Sequence, residues 1–298
     1  MAGQEIGRSN NEKMTVKDSY TYKPVQFFLI AILFTWAAWF IAAYLSYQPG
    51  SASSRLFSIL ELAGLFGPVT AGLWMVFTSK NKELKQNFYE KLINLKLIKL
   101  SSIPAIFLIM PLAAVISVLL SYLFFGQSLD QLRIVKVAAS GLIPAPVMFF
   151  GAALLEELGW KGYGIESLRG RRTFFSATII FAVLWTLWHT PLFFINNYYH
   201  NTAIRAHPLF ALNFIASVFC AAFIINWLWY KNSGSILTAI LFHAMANFQG
   251  ILQMGEVAKN IQIVVLIVIA IIIVNRNKKM FFGEFPAQIG YYGQKTPS

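Results

Sequence analysis

Long apolar stretches alternate with short polar connections along the 298-residue chain. Each stretch is close to the ~20 residues that a helix needs to cross ~30 Å of hydrocarbon. The last one is rich in β-branched residues, but its length favours a helix over a buried strand. The pattern predicts an all-α fold, a polytopic transmembrane helical bundle with about eight spans. Their approximate ranges are 26–45, 57–78, 103–125, 144–168, 173–195, 209–230, 235–253 and 260–275.

The basic residues indicate an orientation for the bundle. With the N-terminus in the cytoplasm and the spans alternating, 19 of the 24 Lys and Arg residues fall on the cytoplasmic side. Such a bias is typical of multi-pass proteins and predicts that both termini are cytoplasmic, in the cytoplasmic cell membrane. We therefore divide the chain into a polar tail at 1–25, a transmembrane bundle at 26–275 and a second tail at 276–298. The first 25 residues are polar, so we expect no cleavable signal peptide.

Composition supports a membrane protein and argues against other classes. The chain is 57% hydrophobic and 12% charged, whereas soluble domains average ~25% charged. Its net charge of +12 comes from short connections between apolar runs, without a basic face interleaved with aromatics, so we expect no nucleic-acid partner. The single cysteine, Cys220, lies in an apolar run, which indicates a packed side chain. The lysine-rich loop at 79–102 predicts either an amphipathic surface helix or a solvated basic loop.

Two adjacent carboxylates interrupt the fourth apolar segment. Charged side chains inside a span are costly and tend to be functional, so Glu156 and Glu157 are candidate site residues. Lys161 follows Glu157 by four residues, which predicts an ion pair on one helix face. No such partner exists for Glu156, because Trp160 occupies the corresponding position. Adjacent helix positions point ~100° apart, so the two carboxylates need not share a role.

Two of the four histidines also lie inside predicted spans. His189 is in the fifth segment and His243 is in the seventh, where Asn247 follows one turn later on the same face. His200 and His207 fall in the connection at 196–208, where we expect both to be solvated. Two histidines on different spans, together with a buried Glu, indicate a site more strongly than either does alone.

This set of residue types is suited to hydrolysis. A carboxylate can activate a water molecule, an imidazole can hold it, and a second imidazole with an amide can donate to an oxyanion. The same residues offer a second mechanism, since Glu156, His189 and His243 could hold a zinc ion with an open position for water. The sequence contains no HExxH motif and leaves the two mechanisms open.

Three motifs in this region carry a family resemblance. EELGWKGYGIESL, LWTLWHTPLFF and LFHAMAN occur in this order within about 145–255. They resemble the motifs of the CPBP family, which includes type II CAAX prenyl endopeptidases and Abi proteins and is usually described as intramembrane metalloproteases. The resemblance implies a protease-like core and a membrane-associated protein or peptide substrate, prenylated or bacteriocin-like. It also implies the roles: Glu156 as base, His189 as its partner, His243 and Asn247 as oxyanion site, and Glu157 in support.

Two positions depart from the family pattern, and two other functions stay open. Lys161 stands where Arg is usual, and Trp185 stands where Phe is usual. Buried Glu and His residues also mark ion paths, so the alternative function is a proton- or ion-coupled transporter. A haem protein with His189 and His243 as axial ligands is a further alternative, but it gives Glu156 no role.

Overall fold

The chain folds as a bundle of helices in a computed structural model that describes residues 20–50, 55–129, 133–134, 145–170, 172–249 and 252–283. Most of both predicted polar tails lies outside the described residues. The helices are α1 (Pro24–Ser46), α2 (Arg55–Gly64), α3 (Phe66–Thr78), α4 (Lys82–Ile93), α5 (Ile103–Phe125), α6 (Ala145–Gly159), α7 (Ile165–Arg169), α8 (Phe174–Trp188), α9 (Tyr199–Ala206), α10 (Leu209–Lys231), α11 (Ile236–Phe248), α12 (Glu256–Arg276) and α13 (Lys278–Phe282). Two-residue strands, β1 (Arg133–Ile134) and β2 (Leu252–Gln253), pair antiparallel.

Every predicted apolar segment contains a helix, which confirms an α-helical, multi-pass membrane protein. Five helical stretches among the described residues are long and apolar enough to span a bilayer, and the bent pair α2–α3, with an angle of 46°, would make six. The other two segments differ in kind. Helix α11 has 13 residues, or ~20 Å of rise, and α6 carries the adjacent carboxylates. The number of eight spans and the orientation of the termini therefore remain predictions.

Local sequence signals explain where several helices begin and end. Thr173 and Ser235 cap α8 and α11, because each side chain accepts a hydrogen bond from a backbone N–H three residues later. Helix α5 ends at Gly126, whose positive φ of 62° is the left-handed conformation that glycine adopts at low cost. Helix α8 ends before Pro191, and a short 3₁₀ turn continues the chain there.

Helix α6 occupies the centre of the bundle, packed between α3 and α11. Gly159 at its end lies so close to the backbone of Pro68 in α3 that a Cβ atom would not fit. A single π-helical turn, Trp160–Gly164, then joins α6 to α7. Such turns are rare and occur often at functional sites. This close approach fixes the position of the carboxylate pair relative to α3 and α11.

Residues 82–93 of the lysine-rich loop form helix α4, and its place on the membrane surface stays a prediction. Leu84 and Phe88 of α4 are buried against the protein. Lys91, on the same side, is also buried and lies 3.4 Å from Glu166 Oε1, while Arg169 lies 3.3 Å from Glu166 Oε2. This ion cluster attaches α4 to α7 at the basic end of the bundle.

Candidate active site

Glu156 is held by two tryptophans. Trp185 Nε1–H donates to Glu156 Oε2 at 3.0 Å, and Trp160 Nε1–H donates to the same oxygen at 3.3 Å. Trp160 is the residue one turn after Glu156, and Trp185 comes from α8, so the carboxylate connects two helices. The side chain is 5% exposed. Hydrogen bonds to a charged group offset part of the large free-energy cost of burying it.

Glu157 has a different set of partners, as the ~100° separation of adjacent positions suggests. Its Oε1 accepts a hydrogen bond from Nδ1 of His243 at 2.8 Å, and its Oε2 lies 3.4 Å from Nζ of Lys161. The predicted pair with Lys161 is thus present, fully buried, with the ammonium 4.2 Å from the centre of the Phe181 ring. The pair with His243 joins α6 to α11 directly.

His189 directly follows the last residue of α8 and caps the helix. Its Nδ1–H donates to the carbonyl oxygen of Trp185 at 2.7 Å. Since a carbonyl can only accept, this bond assigns the proton to Nδ1 and leaves a lone pair on Nε2 of the neutral ring. The Trp185 indole also lies edge-on to His243, with ring centroids 5.5 Å apart. Trp185 therefore contacts Glu156, His189 and His243, which come from three different elements.

A cavity of about 860 Å³ borders this cluster. His189, His243, Asn247 and Trp185 line one side of it. Asn247 donates one amide hydrogen to the carbonyl oxygen of Phe149 at 3.2 Å, which leaves the other hydrogen for a ligand. Much of the remaining wall is apolar and comes from α10, α11 and α12. Glu156 and Glu157 lie one side chain behind this wall, in contact with Trp185 and His243.

His200 corrects one sequence prediction. His207 is exposed, as expected, but His200 is 9% exposed and its ring stacks on His189 with centroids 6.1 Å apart. Phe214 covers another side of the ring at 4.4 Å. The prediction of a solvated loop was wrong because α9 folds back over the end of α10 and covers this histidine. Burial lowers the pKa of His200 from 6.5 to about 4, so it is neutral at pH 7.

The sequence left open a zinc site made of Glu156, His189 and His243. Within the described ranges no three His, Cys, Asp or Glu side chains are grouped as metal ligands. Glu156 faces two indole donors, and His243 pairs with Glu157 instead. The arrangement does not fit the proposed three-ligand set, so we derive no catalytic step through a metal.

Comparison with known proteins specifies the class of this protein as a membrane peptidase. The model of the type II CAAX prenyl endopeptidase Rce1-like family matches residues 138–249. CAAX prenyl protease 2 of Methanococcus maripaludis is 39% identical over 267 residues, which cover 89% of this chain and 97% of the relative. The chain belongs to the CAAX prenyl protease family, which confirms the resemblance seen in the three motifs. Membership of a protease family does not favour the alternative function, a proton- or ion-coupled transporter.

Sequence reasoning identified the charged residues but not the groups that hold them. The prediction that Trp160 leaves Glu156 without a partner was wrong, because the indole N–H of Trp160 donates to Glu156. Trp185 was noted only as an aromatic position, although it also donates to Glu156. The available signal was spacing, since Trp160 follows Glu156 by one turn and Trp185 precedes His189 by one turn. No comparable signal pointed to His200, because its burial depends on how α9 packs.

Proposed function

We propose that the protein is an intramembrane endopeptidase of the cell membrane that hydrolyses a peptide bond near the C-terminus of a prenylated, membrane-associated protein. The observation that carries this proposal is the convergence of α6, α8 and α11 on one cavity, with two histidines and an asparagine in its wall and two carboxylates behind them. The residues 145–255 would form the catalytic core of the bundle.

In the proposed reaction, Glu156 removes a proton from the attacking water and His189 positions that water. Trp185 holds the carboxylate and the imidazole in a fixed relation, because its Nε1–H donates to Glu156 and its carbonyl oxygen accepts from His189. The lone pair on His189 Nε2 can accept a hydrogen bond from the same water. General base catalysis of this kind contributes ~10²- to 10⁴-fold in rate.

We assign His243 and Asn247 as the hydrogen-bond donors to the carbonyl oxygen of the peptide bond that is cleaved. Glu157 accepts the Nδ1–H of His243, which fixes the ring, and Nε2–H donates to the carbonyl oxygen when the ring is in its protonated, imidazolium form. Asn247 has one amide hydrogen to spare. Donors of this type stabilise the oxyanion in the transition state, and losing one costs ~10²- to 10³-fold in kcat. Lys161 supports the pair by neutralising Glu157.

The cavity supports a substrate with a large apolar group. Its volume of about 860 Å³ is within the range of ligand pockets, and phenylalanine, isoleucine and leucine side chains form much of its wall. The relative's name, CAAX prenyl protease 2, indicates the same class: a C-terminal C-a-a-X sequence whose cysteine carries a prenyl chain.

The cavity lies at the end of the bundle that carries α9 and the start of α12, opposite the basic connections. Our predicted orientation places this end outside the cytoplasm. Cysteine labelling tests it: in a Cys220→Ala background, Lys82→Cys should be protected from an impermeant maleimide in intact cells and His207→Cys should react. The reverse result would place the mouth of the cavity on the cytoplasmic side.

Proteoliposomes containing the purified protein test the proposed activity. A farnesylated C-terminal peptide should be cleaved at one bond, identified by mass spectrometry, and the unprenylated peptide should be cleaved much more slowly. His243→Asn and Asn247→Ala should each reduce kcat strongly. If instead the liposomes pass ions in a manner that depends on Glu156, without proteolysis, the transporter alternative would replace this proposal.

A further inference from the structure

The described residues that line the cavity include Glu256 and Lys259 of α12, as well as His189, His243 and Asn247. Glu256 is the only Asp or Glu among those lining residues. Phenylalanine, isoleucine and leucine side chains of α10, α11 and α12 form apolar parts of the wall. Lys259 is the only Lys or Arg among the described residues that line the cavity. A substrate that fills the cavity therefore meets one ammonium group.

Lys259 is available to a ligand. Its Nζ lies 2.9 Å from Glu256 Oε1, three residues earlier on α12, and the two side chains are 35% and 58% exposed. Ion pairs this exposed contribute little, so an arriving anion can share or replace the glutamate. An ammonium group has three donors, and Glu256 engages one of them.

The distance between Lys259 and the catalytic residues determines how many substrate residues can lie between them. Gln262 Nε2–H donates to Gln249 Oε1 at 2.9 Å, which aligns α12 with the end of α11. Gln249 is ~9 Å along α11 from His243, and Lys259 is one turn beyond Gln262, or ~4.5 Å. Three extended residues reach ~10 Å, and the lysine side chain can bridge the remainder. In a C-a-a-X sequence, the bond three residues from the end follows the prenylated cysteine.

We propose that Lys259 binds the free C-terminal carboxylate of the substrate, and that Glu256 holds the ammonium in place before the substrate arrives. Lys259 thus selects chain ends over internal segments and sets which bond reaches His243 and Asn247. This inference rests on the proposed peptidase function and adds the recognition of the terminus.

Two prenylated peptides of the same sequence test it, one ending in a free carboxylate and the other in a carboxamide. Wild-type protein should cleave the carboxylate form with a kcat/KM about fivefold higher, the size expected of one exposed charge pair. Lys259→Met should lose this preference by slowing only the carboxylate form. Glu256→Gln should increase the preference because it frees the ammonium. Lys278→Met, which removes an exposed lysine on α13, is the matched control and should behave like wild type.

Equal cleavage of both peptides by wild-type protein would overturn the proposal, and so would a Lys259→Met variant that keeps the preference. Either result would leave the peptidase function standing, since both peptides would still be cut. If wild-type protein cleaved neither peptide, the proposed function and this inference would fail together. Thermal denaturation of each variant separates a loss of binding from a loss of fold.

Discussion

Replacing Trp185 by phenylalanine removes one hydrogen-bond donor from Glu156 and leaves an aromatic ring in its place. The ring contacts with His189 and His243 are largely kept, and so is the backbone carbonyl that accepts from His189. The substitution therefore tests the indole N–H alone. The motif resemblance implies phenylalanine at this position, so the variant asks whether this chain depends on its own tryptophan.

The size of the effect follows from the geometry. A hydrogen bond to a charged group contributes ~1.5–3 kcal/mol, and the distance of 3.0 Å from Trp185 Nε1 to Glu156 Oε2 is typical of such a bond. Trp160 donates to the same oxygen at 3.3 Å and compensates in part. We therefore expect the lower value, and since ~1.4 kcal/mol corresponds to a factor of ten, kcat should fall about tenfold. The double variant Trp160→Phe/Trp185→Phe should fall further than either single variant.

The assay is peptide cleavage at saturating and limiting substrate, which separates kcat from KM. We expect the loss in kcat, because the bond acts on the base and not on substrate binding. Trp188→Phe is the matched control: Trp188 is buried on the same helix, and its indole N–H donates to Thr35 Oγ1 at 2.6 Å. Phenylalanine keeps an aromatic ring beside His189 and Trp160, which Trp188 contacts. The Trp188→Phe variant should lose a similar amount of stability. Its kcat should stay within about threefold of wild type, which is a change in activation free energy below ~1 kcal/mol.

A Trp185→Phe variant with unchanged kcat, together with an unchanged double variant, would refute the reasoning. That outcome would mean that the indole donors are structural and that Glu156 does not require them during the reaction. An equal loss in Trp188→Phe would also refute it, because the effect would then reflect packing of α8.

Three further predictions concern the residues around the site. Lys161→Met should lower the thermal midpoint and activity, since removing one partner of a buried ion pair costs ~3–5 kcal/mol and leaves Glu157 less compensated, whereas Lys161→Arg should retain cleavage. Gly159→Ala should destabilise the protein by ~1–3 kcal/mol because α3 leaves no room for a Cβ atom, whereas Gly151→Ala, which meets open space, should be neutral or stabilising. Burial lowers the pKa of His200 to about 4, so the folded protein binds fewer protons than the unfolded chain below pH 6.5, and stability present above that pH is lost toward pH 4. His200→Phe should flatten the dependence of the thermal midpoint on pH in this window.

Much of the fold could be predicted because a bilayer constrains the sequence. Each apolar segment had to be helical, and each contains a helix, including the β-branched one at α12. The kink between α2 and α3 and the π-helical turn after Gly159 had no simple signal, since both arise from how helices approach one another. The number of spans is harder to predict, because α11 has only 13 residues and α6 carries the charged site.

The candidate site shows a similar division. The free-energy cost of placing an ionisable side chain in a span was enough to identify Glu156, Glu157, His189 and His243. Such residues are rare in spans unless they are paired or functional. The pairings were predictable only within one helix: Glu157 with Lys161 follows from spacing. The contacts between Glu157 and His243, and between Glu156 and Trp185, join residues 86 and 29 positions apart, so they depend on the packing of the bundle.

Cleavage of a farnesylated C-a-a-X peptide by Glu156→Gln protein tests the central claim most directly. The substitution keeps the size of the side chain and removes the base, so kcat should fall by ~10²- to 10⁴-fold with an unchanged thermal midpoint. Glu61→Gln, which alters a half-buried carboxylate on α2, should cleave at the wild-type rate. A Glu156→Gln variant that is folded and cleaves within about threefold of wild type would contradict the account.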